Sequence, residues 1–163
     1  DWKTSRKSPP TSRRKNSLGS MRINGEWYLC DDGVVRPVVR GEVLGRDGSW
    51  LDVEFLLDIG ADRTVFVAGL LRWLDPTGPS GQALGGLGGL AASVDVASEI
   101  RLTTDQGCKI VLRGQFAAVT DSAALDMSVL GRDITRMFAV IVDQPQNVIC
   151  MLSQRHYYRI EVI

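Results

Sequence analysis

The sequence predicts an all-β fold, a small barrel or sandwich carrying one or two short helices. Three observations predict it. Short apolar runs are rich in Val, Ile and aromatic residues, glycine-bearing breaks separate them, and only two segments read as helical. The runs are residues 27–29, 34–39, 41–44, 50–57, 91–96, 99–102, 109–112, 115–119, 137–142 and 148–152. Leu44-Gly45-Arg46-Asp47-Gly48-Ser49-Trp50 reads as the turn of a hairpin between two of them. The helical segments are 67–74 (VAGLLRWL) and 132–138, the latter after a Val129-Leu130-Gly131 stop. No internal repeat recurs at a fixed period.

Composition narrows the function classes. With 163 residues there is room for one compact domain, and an apolar fraction of 44% describes a globular chain rather than a disordered one. No apolar run approaches the ~20 residues of a membrane-spanning helix. The basic N-terminus lacks the apolar core of a secretory signal. Net charge is zero, yet Lys3, Arg6, Lys7, Arg13, Arg14 and Lys15 stand against Asp1 within residues 1–20, leaving the remainder acidic. Such a Ser/Pro/Lys/Arg-rich segment cannot bury enough surface to order itself. It reads as a linker, propeptide remnant or expression leader, with residues 21–163 as the domain. Cys30, Cys108 and Cys150 are widely spaced with no CxxC, and His156 is the single histidine. Metal centres and histidine-dependent nucleophile triads are therefore not expected, and no cofactor is called for. Free thiols fit the cytoplasm or another reducing compartment.

One segment carries chemistry. In Val53-Glu54-Phe55-Leu56-Leu57-Asp58-Ile59-Gly60-Ala61-Asp62-Arg63-Thr64-Val65-Phe66 an apolar strand runs into Asp58, and a small-residue turn follows. A carboxylate held behind such a strand is costly unless it is paired or protonated. A close turn lets two backbones approach. Two such aspartates face to face share a proton, giving an acid and a base at one site that can hold an attacking water.

Asp58-Ile59-Gly60-Ala61-Asp62-Arg63-Thr64-Val65 resembles the Asp-Thr/Ser-Gly-Ala-Asp-x-Thr-Val active-site loop of retroviral proteases and their cellular and bacterial relatives. Ala83-Leu84-Gly85-Gly86-Leu87-Gly88-Gly89-Leu90 is similar to their flap, whose tip is Gly-Gly-Ile-Gly-Gly. Ser128-Val129-Leu130-Gly131-Arg132-Asp133-Ile134 resembles the family's Ile-Ile-Gly-Arg-Asn/Asp-Leu element, which opens its C-terminal helix. Each motif alone is weak, while their joint order over about residues 34–152 is specific.

The resemblance implies a retropepsin-like acid-protease barrel protomer whose active site lies at a homodimer dyad. With one loop per chain, the second aspartate comes from a symmetric partner. Asp58 is then the catalytic residue. Gly60, Ala61 and Asp62 would contact substrate, as would Gly85, Gly86 and Leu87 of the flap, whose glycines permit a gating motion. Ile59, Thr64, Gly131 and Arg132 would give structural support, with Arg132 paired to Asp62 through a bidentate fork. Arg63 would be a second cation keeping Asp62 ionised. Asp121-Ser122-Ala123-Ala124 lacks the glycine and preceding strand of a second active-site loop, and is implied to line the substrate cleft.

The chain departs from the family at Ile59, where relatives carry a Thr or Ser whose hydroxyl bonds across the dyad. Isoleucine donates nothing, and a looser loop pair costs rate. Two functions therefore stand beside each other: an aspartic endopeptidase acting on peptide or protein, and a dimeric module that holds an extended peptide without cutting it. A third, a small barrel binding nucleic acid through the basic leader, finds no basic-aromatic stripe in the body and is disfavoured, as is membrane association.

Overall fold

A computed structural model describes residues 21–79, 83–86 and 89–153. The basic segment 1–20, Leu87, Gly88 and His156 lie outside the described residues. The strands are β1 (Arg22–Asn24), β2 (Glu26–Leu29), β3 (Val35–Leu44), β4 (Trp50–Leu57), β5 (Val65–Phe66), β6 (Pro76–Pro79), β7 (Leu84–Gly86), β8 (Gly89–Ala91), β9 (Ser93–Thr103), β10 (Lys109–Val119), β11 (Ser128–Leu130), β12 (Ala139–Asp143) and β13 (Val148–Leu152). A 3-10 helix covers Ala68–Trp73 and a single α-helical turn, α1, covers Arg132–Thr135.

The all-β reading holds, and the sheet closes. Neighbouring strands run β3-β4-β11-β5-β10-β9, and β9 returns to β3 through Gly41↔Leu102, Glu42↔Arg101 and Val43↔Ile100. The result is a six-stranded barrel, with β2 hung on β3 and β6 on β9. Pairing is antiparallel except for β4–β11 and β5–β10. A separate sheet joins β1, β13 and β12, and β7 pairs with β8 as a hairpin.

Several runs that read as separate in the sequence are one strand in the structure. Residues 35–39 and 41–44 merge in β3 across Arg40, 93–96 and 99–102 in β9 across Ala97-Ser98, and 109–112 and 115–119 in β10 across Arg113-Gly114, while Ala91 falls in β8. Gly41 is a packing residue rather than a break: a Cβ there would lie 2.8 Å from Leu102 Cδ2 and 3.2 Å from the Phe55 ring. The helical segments are shorter than their patterns suggest. Segment 67–74 folds as the 3-10 helix, and 132–138 keeps one α turn because the chain leaves for β12 at Ala139. The hairpin at 45–49 forms, with Gly45 N–H donating to Ser49 O at 2.7 Å and Gly48 at φ 82°.

The core explains where the site falls. Along β4, Val53, Phe55 and Leu57 alternate inward, as a strand with one buried face requires. Phe55, Phe66 and Phe116 form its aromatic centre, with ring centroids 6.2 and 5.6 Å apart. At the ends of β10, β5, β11 and β4 the sheet is covered on both faces. Phe116, Ala118, Phe66, Leu130 and Leu57 face this main core. Ala117, Val119, Val65 and Val129 instead join a second cluster, against which Leu56, Ala61, Leu84, Ala91, Ala124 and Leu125 pack. Asp58 begins where β4 leaves these two layers.

Candidate active site

Asp58 is the first residue past Leu57, whose side chain is anchored in the main core, so the carboxyl is delivered by a rigid strand end. Its backbone N–H donates to Leu130 O at 3.3 Å, and its carbonyl accepts from Ala61 N–H at 3.3 Å. Asp58 Oδ1 accepts the Gly60 N–H at 2.8 Å. The carboxyl is half-buried, held by its own loop yet open on one side. Gly60 leaves it little spare room: a Cβ would sit 3.1 Å from Asp58 Oδ1. Beside it Ile59 turns outward, 61% exposed.

The rest of the loop is bound to the strand–turn element at 128–135. Arg132 N–H donates to Ala61 O at 2.8 Å. Arg132 Nη2 donates to Asp62 Oδ1 through one nitrogen rather than as a bidentate fork. Both side chains are more than half exposed, 58% and 77%, so the pair is a surface tether. Arg63 turns away from Asp62 and donates to Asp95 on β9 at 2.8 Å, so the expectation that it supports the Asp62 charge is corrected. The geometry allows this because Arg132 already occupies Asp62.

The firmest link runs through Thr64, which is fully buried. Its hydroxyl donates to Asp133 Oδ1 at 2.7 Å and accepts Gly131 N–H at 3.1 Å. Its backbone N–H donates to both Asp133 carboxylate oxygens at 2.9 Å. Asp133 also accepts Ile134 N–H at 3.0 Å. Charge-assisted bonds of this kind are roughly twice as strong as neutral ones. Gly131 is required here, since a Cβ would meet the Arg63 carbonyl carbon and oxygen at 2.3 Å. Sequence reasoning passed over Asp133; the available signal was an acidic residue in the first turn directly after Leu130-Gly131-Arg132.

The β7–β8 hairpin is paired through Leu84↔Ala91, Gly85↔Leu90 and Gly86↔Gly89. Its base is fixed by Leu84 and Ala91 in the second cluster, which Ala61 and Ala124 also join. Gly85 and Gly86 are exposed, Gly89 adopts φ 110°, and Leu90 is 81% exposed. Loop 121–124 is turned by Asp121, whose carboxylate accepts Ala123 N–H at 2.9 Å. The structure thus gathers Ala61, the base of the β7–β8 hairpin and Ala124 around one apolar cluster, at the end of the strand that leads into Asp58. Chemically, the arrangement can present a half-open carboxyl beside an apolar wall that also carries the base of an exposed, Gly-rich hairpin.

The chain is similar to two solved proteases. One is "EIAV protease complexed with the inhibitor HBY-793", at 25% identity and TM-score 0.44, covering 62% of this chain and 86% of that one. The other is a retropepsin-like aspartic protease from Rickettsia conorii, at 15% identity and TM-score 0.46, covering 82% of this chain and 91% of that one. No protein-family model and no curated protein matches the sequence. Among the described residues no helix is long and apolar enough to cross a membrane. Cys30 and Cys150 are buried and Cys108 is exposed, all three as free thiols.

Proposed function

We propose that the chain is an aspartic endopeptidase whose site is completed when two copies bring Asp58 and Asp58 of the partner subunit together. The observation that carries this reading is the setting of Asp58. A rigid strand end, a Gly60 N–H and a loop bolted to the Thr64–Asp133 pair hold one carboxyl half open, with apolar Ile59 exposed beside it. Two carboxyl groups in contact hold one proton between them. The ionised one takes a proton from a bound water as its oxygen attacks the peptide carbonyl carbon, and the protonated one gives its proton to the carbonyl oxygen. The gem-diol then collapses: one of its hydroxyls gives its proton to the ionised aspartate as the C–N bond breaks, and the leaving nitrogen takes the proton of the other aspartate, so the dyad again holds one proton. Gly60, Ala61 and Asp62 would line the peptide backbone from below. Gly85 and Gly86 would cover it from the other side.

Purified protein incubated with a peptide library at several pH values, beside Asp58→Asn, tests the reading. Cleavage by the natural sequence and a loss of at least about 1,000-fold in Asp58→Asn is expected. Equal cleavage by both proteins removes Asp58 from the mechanism.

Ile59 supports a second reading, a dimer that binds extended peptide without turnover. It predicts saturable peptide binding with no products from acidic to neutral pH. Products that disappear in Asp58→Asn dispose of it.

A further inference from the structure

Among the described residues six arginines are paired with carboxylates, from Arg36 with Asp32 to Arg132 with Asp62. Arg46 and Arg72 have no such partner among them, and both line a shallow cleft of about 230 Å³ together with Asp47 and Trp73. Two elements build the cleft. The β3–β4 turn supplies Arg46 and Asp47, and the end of the 3-10 helix supplies Arg72 and Trp73. Arg46 N–H donates to Trp73 O at 2.8 Å, which ties one element to the other. Leu74, 1% exposed, anchors the helix end in the main core, while Trp73 stands 41% exposed beside it. The Arg72 guanidinium lies 5.3 Å from the centre of the Trp73 ring, a cation–π contact.

Two guanidinium forks select carboxylates or phosphates, and the indole adds an apolar contact. Asp47 decides between the sources of such groups. Ser49 N–H and Oγ both donate to its Oδ1, at 2.9 and 2.6 Å, and its Oδ2 has no bond among the described residues. An extended acidic peptide brings backbone N–H groups that this oxygen can accept. A nucleic-acid strand instead sets one phosphate charge per nucleotide beside a carboxylate. The cleft lies at the start of β4, whereas Asp58 follows its end, so about 25 Å of strand separates the two.

We propose that Arg46, Asp47, Arg72 and Trp73 form a second peptide site, which takes an acidic stretch of the polypeptide on which Asp58 acts. An extended chain rising about 3.3 Å per residue needs about eight residues to span the interval, so the acidic stretch lies at least that far from the bond that is cut. Binding at the cleft stands on its own; its effect on cleavage rests on the peptidase reading.

Fluorescence anisotropy of a labelled peptide with a Leu-Glu-Glu-Leu core, beside the same peptide with Gln-Gln, measures binding to the full chain. The Glu peptide is expected to bind about three- to tenfold more tightly, and Arg46→Gln/Arg72→Gln is expected to abolish that difference with Tm within about 2 °C. Arg46→Lys/Arg72→Lys, which keeps the charge and loses the fork, is expected to retain only part of it. Equal binding of the two peptides, or a preference that survives in Arg46→Gln/Arg72→Gln, overturns the site. A single-stranded oligonucleotide of equal charge that binds as tightly as the Glu peptide, and loses affinity in the same variant, overturns its assignment to peptide. In cleavage assays, a substrate with the Glu-Glu pair about ten residues from the cut bond is expected to show KM raised about three- to tenfold in Arg46→Gln/Arg72→Gln with kcat within about twofold, while a substrate without the pair is cut alike by both proteins. A KM that is unchanged, or that changes alike for both substrates, overturns the link to cleavage. A natural protein without turnover defeats the peptidase reading, while anisotropy still decides the site.

Discussion

At the residue scale, the decisive contrast is between Ile59 and Thr64. Thr64 is fully buried and spends its hydroxyl twice, on Asp133 and on Gly131 N–H. Thr64→Val keeps the shape and removes both bonds, leaving buried polar groups without partners. A loss of about 1–3 kcal/mol of unfolding free energy is expected in chemical denaturation. An unchanged midpoint would show that the loop is held elsewhere. Ile59 is the opposite case, exposed and without a polar contribution. In the dimeric peptidase reading, Ile59→Thr supplies a hydroxyl able to bond across to the partner loop. A severalfold rise in kcat with little change in KM is expected from steady-state kinetics. A fall in kcat would mean that apolar contact at this position does more for the site than a hydrogen bond. Asp58, Gly60 and Arg132 were legible because strand, turn and motif order bracket them. Asp133 and the Arg63–Asp95 pair were not, because the partner of a charged side chain is chosen by pairings far apart in sequence: Asp133 lies 69 residues from Thr64 and Asp95 lies 32 from Arg63.

At the element scale, the sequence marks where strands are richest and misplaces their ends. Glycine explains part of this: Gly114 reads in isolation as a break inside β10, while Gly41 lies within β3 because Leu102 and Phe55 approach it closely. β5, two residues long, owes its existence to Ala117 and Val129 on either side and has no periodicity of its own. Where three long strands meet on the outer surface, they are clasped by charge. Arg101 on β9 stacks 4.1 Å over the Trp50 ring and donates to Glu42 on β3, and Lys109 on β10 donates to the same carboxylate at 2.8 Å. The hydrogen bond from Arg101, then that from Lys109, holds the Glu42 carboxyl down from 4.5 to about 2. Because the folded value lies below the unfolded one, the clasp contributes fully above about pH 4.5 and is lost as pH falls through 2. Glu42→Gln is expected to lower Tm by about 2–4 °C at pH 7, with the gap closing near pH 2. A gap in calorimetry that stays constant over this range would show that the charge of Glu42 is not what joins these strands.

At the scale of the whole molecule, the all-β class was legible but barrel closure was not. The β3–β9 seam joins strands separated by the entire Asp58 loop and the β7–β8 hairpin, and no local pattern announces it. Closure has a consequence for function. Every strand end that shapes the Asp58 loop is spent on the barrel, so the chain holds one such loop and presents Ile59 at 61% and Leu90 at 81% exposure outside its own packing. In the dimeric reading, apolar side chains this open suit a symmetric contact, in which each copy buries what the other exposes. A two-subunit site makes activity depend on concentration, unlike a one-chain site. In a dilution series, cleavage per chain is expected to fall in step with the dimer fraction measured by sedimentation. Ile59→Asp, which puts two like charges at the axis, is expected to shift the midpoint to at least about tenfold higher concentration while leaving Tm of the fold within a few degrees, because the side chain has few intrachain neighbours to lose. Constant cleavage per chain at dilutions where only monomer sediments would show that a single Asp58 suffices, and the two-copy site would have to be abandoned.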